Sequence, residues 1–214
     1  MTNPAFSPFH DLANTLLPHA GDTGGDGSHD TSHLQRVWKN AAVIQAKEGG
    51  DAHVLFAATL LHDCVPTEKD SPLRSQASRL SAEKAAHVLL ALEWPPTKVE
   101  AVAHAVAAHS FSAGVAPQTL EAKTLQDADR LDAIGMLGVA RCFYVAGRMG
   151  SALYDPADPH ASERPLDDRR FALDHFRAKL LKLASGFQTQ TGARLAQLRH
   201  ERLQRFLDEF ADEI

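Results

Sequence analysis

The stretch Ala57–Asp70, AATLLHDCVPTEKD, is an apolar helical run that ends abruptly in the doublet His62-Asp63, with Pro66 within the next turn. Burying an imidazole and a carboxylate at the end of an apolar helix is costly unless something pairs with both of them. A divalent cation suits both kinds of ligand at once. Pro66 ends the helix, because proline cannot continue its hydrogen bonds, so the two side chains can converge on one ion.

The composition is that of a globular protein. The 214 residues are 44% hydrophobic and 23% charged, with a net charge of −5 and no Lys/Arg-rich block. We therefore expect no nucleic-acid polymer as a partner, and no apolar run is long enough to span a bilayer. Two cysteines are too few for a disulfide framework, and with no basic-plus-apolar leader the sequence favours the cytoplasm.

Helical periodicity runs along the chain without a strand pattern, which predicts an all-α protein. We expect a single domain over residues 1–214, a helical bundle with its core at about 30–146 and with C-terminal helices at 166–213 packing on it. Thr97 and Glu100 indicate a capping box, and the segment DPADPHASERP is expected to be irregular and mobile. Caps, glycines and prolines place the helices at about residues 31–47, 52–63, 81–94, 97–109, 118–146, 166–186 and 191–213.

Three separated helices place imidazole or carboxylate groups on faces that should belong to the core. The residues are His33, the pair His62-Asp63, and Asp129. A lone core histidine is usually just a hydrogen-bonded core residue, and Asp129 alone could form a buried ion pair with Arg36. Buried histidines and carboxylates together more often indicate a metal or catalytic site.

The order His33, His62-Asp63, Asp129, in the contexts HLQRV, LLHDC and DADRLDAIG, resembles the HD-domain superfamily of metal-dependent phosphohydrolases. The segments AHSFSAG, QDADRLDAIG and HFRAKLLKL are similar to a compact bacterial branch of it, the YedJ/YpgQ type. The resemblance implies a helical bundle in which these four residues bind one divalent cation, Mn²⁺, Mg²⁺ or Co²⁺. It also implies hydrolysis of a phosphoester or phosphoanhydride, with nucleoside triphosphates and release of pyrophosphate as the expectation within the branch.

Asp63 and Asp132 are the candidate catalytic carboxylates. Asp132 lies one turn after Asp129, where it could act as an outer-sphere base or orienter. It could equally be the partner of Arg130 or Arg36, because charged pairs one turn apart on a helix are common.

A polyphosphate brings negative charge to a site that already contains carboxylates, so the protein must add cations nearby. The connector after the HD pair and the helix of His33 supply them, although a lone loop lysine is usually only solvated. His104 and His109 lie five residues apart, about 140° on an ideal helix, so one metal ion is expected and both are assigned to the substrate. The candidate substrate-binding residues are Arg36, Lys69, Arg74, Ser75, His104 and His109.

Three alternatives remain open on the sequence alone. The protein could hydrolyse another small phosphate ester, as a phosphomonoesterase or phosphodiesterase. It could be a ligand-sensing protein that keeps the ligands without turnover. It could be a di-iron oxygenase, which would need His104 and His109 as additional ligands. The apolar stripes of the last two helices are typical of a core or of a homodimer interface.

Overall fold

Nine α-helices form the regular structure of the residues described by the computed structural model, which are 4–21, 31–65 and 76–214. Within those ranges there is no β-strand, only an isolated parallel bridge between Ala152 and Phe171. The all-α fold predicted from the sequence is confirmed. The helices are α1 His10–Leu16, α2 Thr31–Glu48, α3 Ala52–Leu61, α4 Ala77–Ala91, α5 Pro96–Ala108, α6 Leu120–Asp132, α7 Met136–Met149, α8 Ala172–Ala178 and α9 Gln190–Ala211.

The chain divides into two compact units, Met1–Asp129 and Arg130–Ile214. The domain bounds expected from the sequence, one domain with its core at about 30–146, stay a prediction. In the described ranges we find no helix with the length and apolar character needed to cross a membrane.

Helix α3 is the centre of the first unit. Its residues Val54–Leu61 are all buried, as expected for a helix that is apolar on every side. Helices α2 and α5 pack against it, and α4 lies along α5. Asp51 begins α3 as predicted, because its side chain accepts hydrogen bonds from the amides of His53 and Val54. The rings of Phe9, Trp38 and Phe56 close the core beside it.

Several expected helix bounds are confirmed and others are wrong. Helices α2, α3 and α9 agree with the sequence to within about two residues. Helix α4 begins at Ala77, four residues earlier than predicted. The capping box at Thr97 and Glu100 is wrong, because Pro95 is the N-cap of α5 and no side chain caps that helix. Pro96 in the first turn already has the φ angle of a helix and has no amide to satisfy.

The single helix expected over residues 118–146 is two helices. Gly135 separates α6 from α7 with φ 77° and ψ −162°, a conformation that strongly favours glycine. Gly138, in the first turn of α7, lies so close to the end of α6 that a Cβ atom there would be 2.4 Å from the carbonyl oxygen of Ala133. The two glycines therefore allow a close approach of the backbone inside a tight turn.

The single helix expected over residues 166–186 is wrong. Only α8 is α-helical, and a 3-10 segment, Leu180–Ala184, follows it. The preceding loop is irregular, as predicted, but it is extensively bonded. The Arg164 guanidinium contacts both carboxylate oxygens of Asp174 at 2.5 and 3.0 Å, and it lies over the ring of Phe171.

Candidate metal centre

His62 and His109 occupy equivalent positions at the C-terminal ends of two helices of the first unit. His62 is the C-cap of α3 and His109 is the C-cap of α5. The Nδ1 atom of His62 lies 2.8 Å from the Thr59 carbonyl oxygen, and that of His109 lies 2.6 Å from the Val106 carbonyl oxygen. A carbonyl can only accept, so Nδ1 is the donor in both rings and Nε2 is left to face the centre.

His33, His62 and Asp129 form one group of converging donor atoms. The Nε2 atoms of the two histidines are 3.2 Å apart. The Asp129 Oδ1 atom lies 3.5 Å from Nε2 of His33 and 3.9 Å from Nε2 of His62. Bonds of about 2.0–2.2 Å to one ion place neighbouring ligand atoms roughly 3–3.5 Å apart, so this spacing suits a single cation.

Asp63 connects His62 to His109 and forms a second group. Its Oδ2 atom lies 3.5 Å from Nε2 of His62, and its Oδ1 atom lies 3.4 Å from Nε2 of His109. The two groups share His62, and the donor atoms within each lie within 4.8 Å of one another. We call the five residues His33, His62, Asp63, His109 and Asp129 the ligand cluster.

In the ligand cluster, the neighbouring histidines and carboxylates oppose the effect of burial on one another's pKa values. Burial lowers the pKa of His62, and it outweighs the opposing effect of Asp63 and Asp129. Burial acts to raise the pKa of Asp63, but the surrounding His62 and His109 hold it well below its usual value. Burial would lower the pKa of His109, whereas the contact with Asp63 raises it to about 9. The carboxylate of Asp63 therefore keeps its charge and remains available to a cation.

The donor set fits a divalent metal ion. Two rings are fixed through backbone carbonyls so that Nε2 faces inward, and two carboxylates lie beside them. His33 and His62 are buried, while the side chains of Asp129 and Asp63 are 30% and 42% exposed. The cluster is thus closed on the histidine side and open on the carboxylate side. No thiolate belongs to it, which argues against a structural zinc site.

The four ligands expected from the sequence lie together in the structure, and His109 joins them. From the sequence, His109 was expected to bind the substrate, and that role stays a prediction. The signal that could have found it is its position, since it ends an apolar helix as His62 does. His104 is elsewhere, and its Nε2 atom accepts a hydrogen bond from the Gln118 amide at 3.0 Å.

The remaining candidates are only partly placed. Asp132 is buried, and its Oδ2 atom lies 3.4 Å from Nη1 of Arg141, a partner that the sequence analysis did not name. Arg36 donates from Nη1 to the Ser32 hydroxyl oxygen at 2.6 Å. The proposed roles of these residues stay predictions. Three further candidates, Lys69, Arg74 and Ser75, lie outside the described residues.

Comparison with known proteins identifies similar chains. The sequence matches the HD domain family over residues 30–134. The uncharacterised protein YpgQ of Bacillus subtilis (strain 168) is 32% identical over 196 residues, which cover 90% of this chain and 87% of YpgQ. The crystal structure of an HD-superfamily hydrolase from Bacillus thuringiensis matches with a TM-score of 0.72 and 31% identity, over 95% of each chain. The crystal structure of Bacillus subtilis YpgQ in complex with ADP matches with a TM-score of 0.72 and 30% identity, also over 95% of each chain.

Proposed function

Since the chain belongs to the HD-domain family, whose solved relatives include HD-superfamily hydrolases, we propose that it is a divalent-metal-dependent phosphohydrolase that acts on nucleotides. The preferred reaction is hydrolysis of a nucleoside or deoxynucleoside triphosphate with release of pyrophosphate. The observation that carries the proposal is a pair of donor groups that share His62. His33 and Asp129 place donor atoms 3.2 and 3.9 Å from its Nε2 atom, and Asp63 places one 3.5 Å away.

The chain's own residues perform two tasks in this proposal. His33, His62, Asp63 and Asp129 would hold the cation, Mn²⁺, Mg²⁺ or Co²⁺. The backbone carbonyl of Thr59 fixes the ring of His62, so this ligand needs no reorientation on binding. A cation bound there would polarise a phosphoryl oxygen and lower the pKa of a bound water molecule.

Two observations support a nucleotide as the substrate. The related protein YpgQ has been crystallised with ADP. In this chain Phe111 is 70% exposed and follows His109 by two residues, so its Cα atom is within roughly 7 Å of that of His109. An exposed aromatic ring beside a phosphate-binding centre offers a face for a base, and such stacking contributes about 1–3 kcal/mol per base.

A panel of substrates and metals tests the proposal. Metal-free protein would be assayed with Mn²⁺, Mg²⁺ and Co²⁺ against nucleoside triphosphates, diphosphates, p-nitrophenyl phosphate and inorganic tripolyphosphate, resolving pyrophosphate from phosphate. We expect metal-dependent pyrophosphate release from triphosphates. His62→Ala and Asp63→Ala should each abolish metal retention or turnover, because the loss of one ligand leaves an incomplete set. His87→Ala, on the exposed face of α4, is the matched control and should behave as the wild type.

The alternatives give different results in the same panel. Full activity of both ligand variants in excess chelator would end the proposal. Turnover of p-nitrophenyl phosphate without turnover of nucleotides would indicate a phosphomonoesterase, and metal binding without any turnover would indicate a sensor. Two tightly bound ions per chain would favour the phosphodiesterase or oxygenase alternative. Stoichiometric zinc that survives dialysis and supports no turnover would contradict the proposed metals.

A further inference from the structure

The turn Ser81–Lys84 of α4 binds the backbone that follows the HD pair. The Lys84 ammonium donates to the Cys64 carbonyl oxygen at 2.8 Å. The Val65 amide donates to the Ser81 hydroxyl oxygen at 3.2 Å, and the Cys64 thiol donates to the Ser81 carbonyl oxygen at 3.4 Å. Both residues directly after Asp63 are therefore held by one helical turn.

The Cys64 carbonyl has a second close neighbour, Gly21. Gly21 lies so close that a Cβ atom there would be 3.0 Å from this oxygen, and its φ of +92° favours glycine. The Cys64 amide is also used, since it donates to the Leu61 carbonyl oxygen at 3.2 Å. The peptide groups after Asp63 thus have little freedom to rotate.

The chemistry at this position favours a cationic donor. The last carbonyls of a helix lack intrahelical partners and carry the negative end of the helix dipole. Here the end of α3 lies beside the carboxylate of Asp63. A lysine can satisfy a carbonyl and offset that negative charge with the same group.

We propose that Lys84 is a positioning residue of the metal centre. It fixes the Cys64 carbonyl, and through it the direction of the Asp63 side chain towards His62 and His109. The inference rests on the proposed metal-dependent function, because it assigns to Lys84 a share of the metal affinity. A positioning role follows from its contact, since the ammonium binds a backbone carbonyl adjacent to a ligand residue.

Metal affinity of the full-length, metal-free protein is the measurement that tests the inference. Mn²⁺ would be titrated calorimetrically into the wild type, Lys84→Met, Lys84→Arg and Lys98→Met. Lys98 is the matched control, because its ammonium lies 2.9 Å from Asp51 at the opposite end of α3. We expect Lys84→Met to bind Mn²⁺ about tenfold more weakly or worse, the loss typical of residues that orient a ligand. Lys84→Arg should recover most of the affinity, because a guanidinium keeps the charge and the donors. Lys98→Met should match the wild type.

Kinetics add a second readout. At saturating Mn²⁺ we expect Lys84→Met to approach the wild type in kcat and to keep the wild-type KM for the nucleotide. Wild-type Mn²⁺ affinity in Lys84→Met would overturn the inference. So would a raised KM with unchanged Mn²⁺ affinity, because Lys84 would then contact the substrate.

Ser81→Ala and the wild-type titration distinguish the remaining outcomes. If Lys84→Met does not fold, Ser81→Ala removes the partner of the Val65 amide without changing a charge. It should also weaken Mn²⁺ binding, and unchanged affinity in that variant would overturn the inference. If the wild type itself binds no divalent metal, the proposed function fails, and this outcome is distinct from equal affinity in the wild type and Lys84→Met.

Discussion

At the scale of single residues, His104 in α5 and His109 at its C-terminal end have different partners. His109 is buried and approaches Asp63, whereas His104 is bound to the backbone before α6. A five-residue spacing makes this divergence predictable, because it turns the two side chains well apart on a helix. The spacing does not show which of the two histidines faces the ligand cluster, because that depends on where α3 lies beside α5.

We predict that His109→Ala weakens metal binding about tenfold to a hundredfold, because it removes a partner of Asp63. His104→Ala is the matched control on the same helix and should keep the wild-type metal affinity. Calorimetric titration of both metal-free variants measures the difference. Equal affinity in the two variants would show that His109 does not take part in metal binding.

A second residue-scale prediction concerns Asp174 and acid stability. Burial acts to raise the pKa of Asp174, but Arg164 and the Asp167 amide hold it below its usual value of 3.8. Because the folded-state pKa lies below the unfolded-state pKa, the stabilisation is complete above about pH 4 and is lost as the pH falls through the folded value. Asp174→Asn should cost about 1.5–3 kcal/mol of unfolding free energy at pH 7, and the cost should be smaller at pH 3, below the unfolded-state pKa.

Urea unfolding at the two pH values measures this change. Asp208→Asn, at an exposed position of α9, is the control and should stay within about 0.5 kcal/mol of the wild type. A cost for Asp174→Asn that is the same at both pH values would contradict the electrostatic origin of the effect.

At the scale of elements, the sequence indicated helices well where strong end signals flank them. Asp51 and the pair Gly49-Gly50 mark real boundaries, so α2 and α3 lie where they were expected. The break between α6 and α7 was missed, because helical periodicity continues through Ala133–Gly135 and a glycine inside a helical pattern is tolerated. The prediction of one helix over residues 166–186 was wrong. The apolar spacing there arises because the side chains of a partly irregular segment pack into the core, and not only because the segment is helical.

The turn between α6 and α7 gives an element-scale prediction. Gly138→Ala would bring a Cβ atom to within 2.4 Å of the Ala133 carbonyl oxygen, so the backbone must shift. We expect a loss of roughly 1–3 kcal/mol of unfolding free energy. Gly147→Ala is the control on the same helix, where a Cβ atom meets nothing within 4 Å, and it should stabilise by roughly 0.5–1 kcal/mol.

Urea denaturation of both variants at pH 7 measures these changes. A Gly138→Ala variant as stable as Gly147→Ala would mean that the turn can open without cost. The close approach of the two helix ends would then not be needed for the fold.

At the scale of the whole molecule, the ligand cluster belongs entirely to the unit Met1–Asp129. The sequence singled out four of its five residues, His33, His62, Asp63 and Asp129, because each occurs in a distinctive local context, and their role as metal ligands stays a prediction. It could not predict the division into two compact units, because no composition change marks residue 130 and α6 continues from Leu120 to Asp132 across that boundary.

The expectation of one domain predicts a single unfolding transition. Both tryptophans, Trp38 and Trp94, lie in the first unit, so tryptophan fluorescence follows that unit alone, whereas far-ultraviolet circular dichroism follows helices of both. In urea we expect the two signals to coincide, and added metal to shift both equally, since a ligand of the native state stabilises the whole cooperative unit. Separate midpoints, with only the fluorescence midpoint moved by metal, would show that the units unfold independently.

The order of the ligands along the chain has a consequence for synthesis. Among the four proposed ligands His33 comes first and Asp129 comes much later, with His62 and Asp63 between them. Chains grow from the N-terminus, so a nascent chain exposes His33, His62 and Asp63 before Asp129 has been added. A truncated or ribosome-stalled product that stops before Asp129 therefore lacks a complete set of donors. If the four residues are the ligands, full metal affinity is confined to chains that have been synthesised past Asp129.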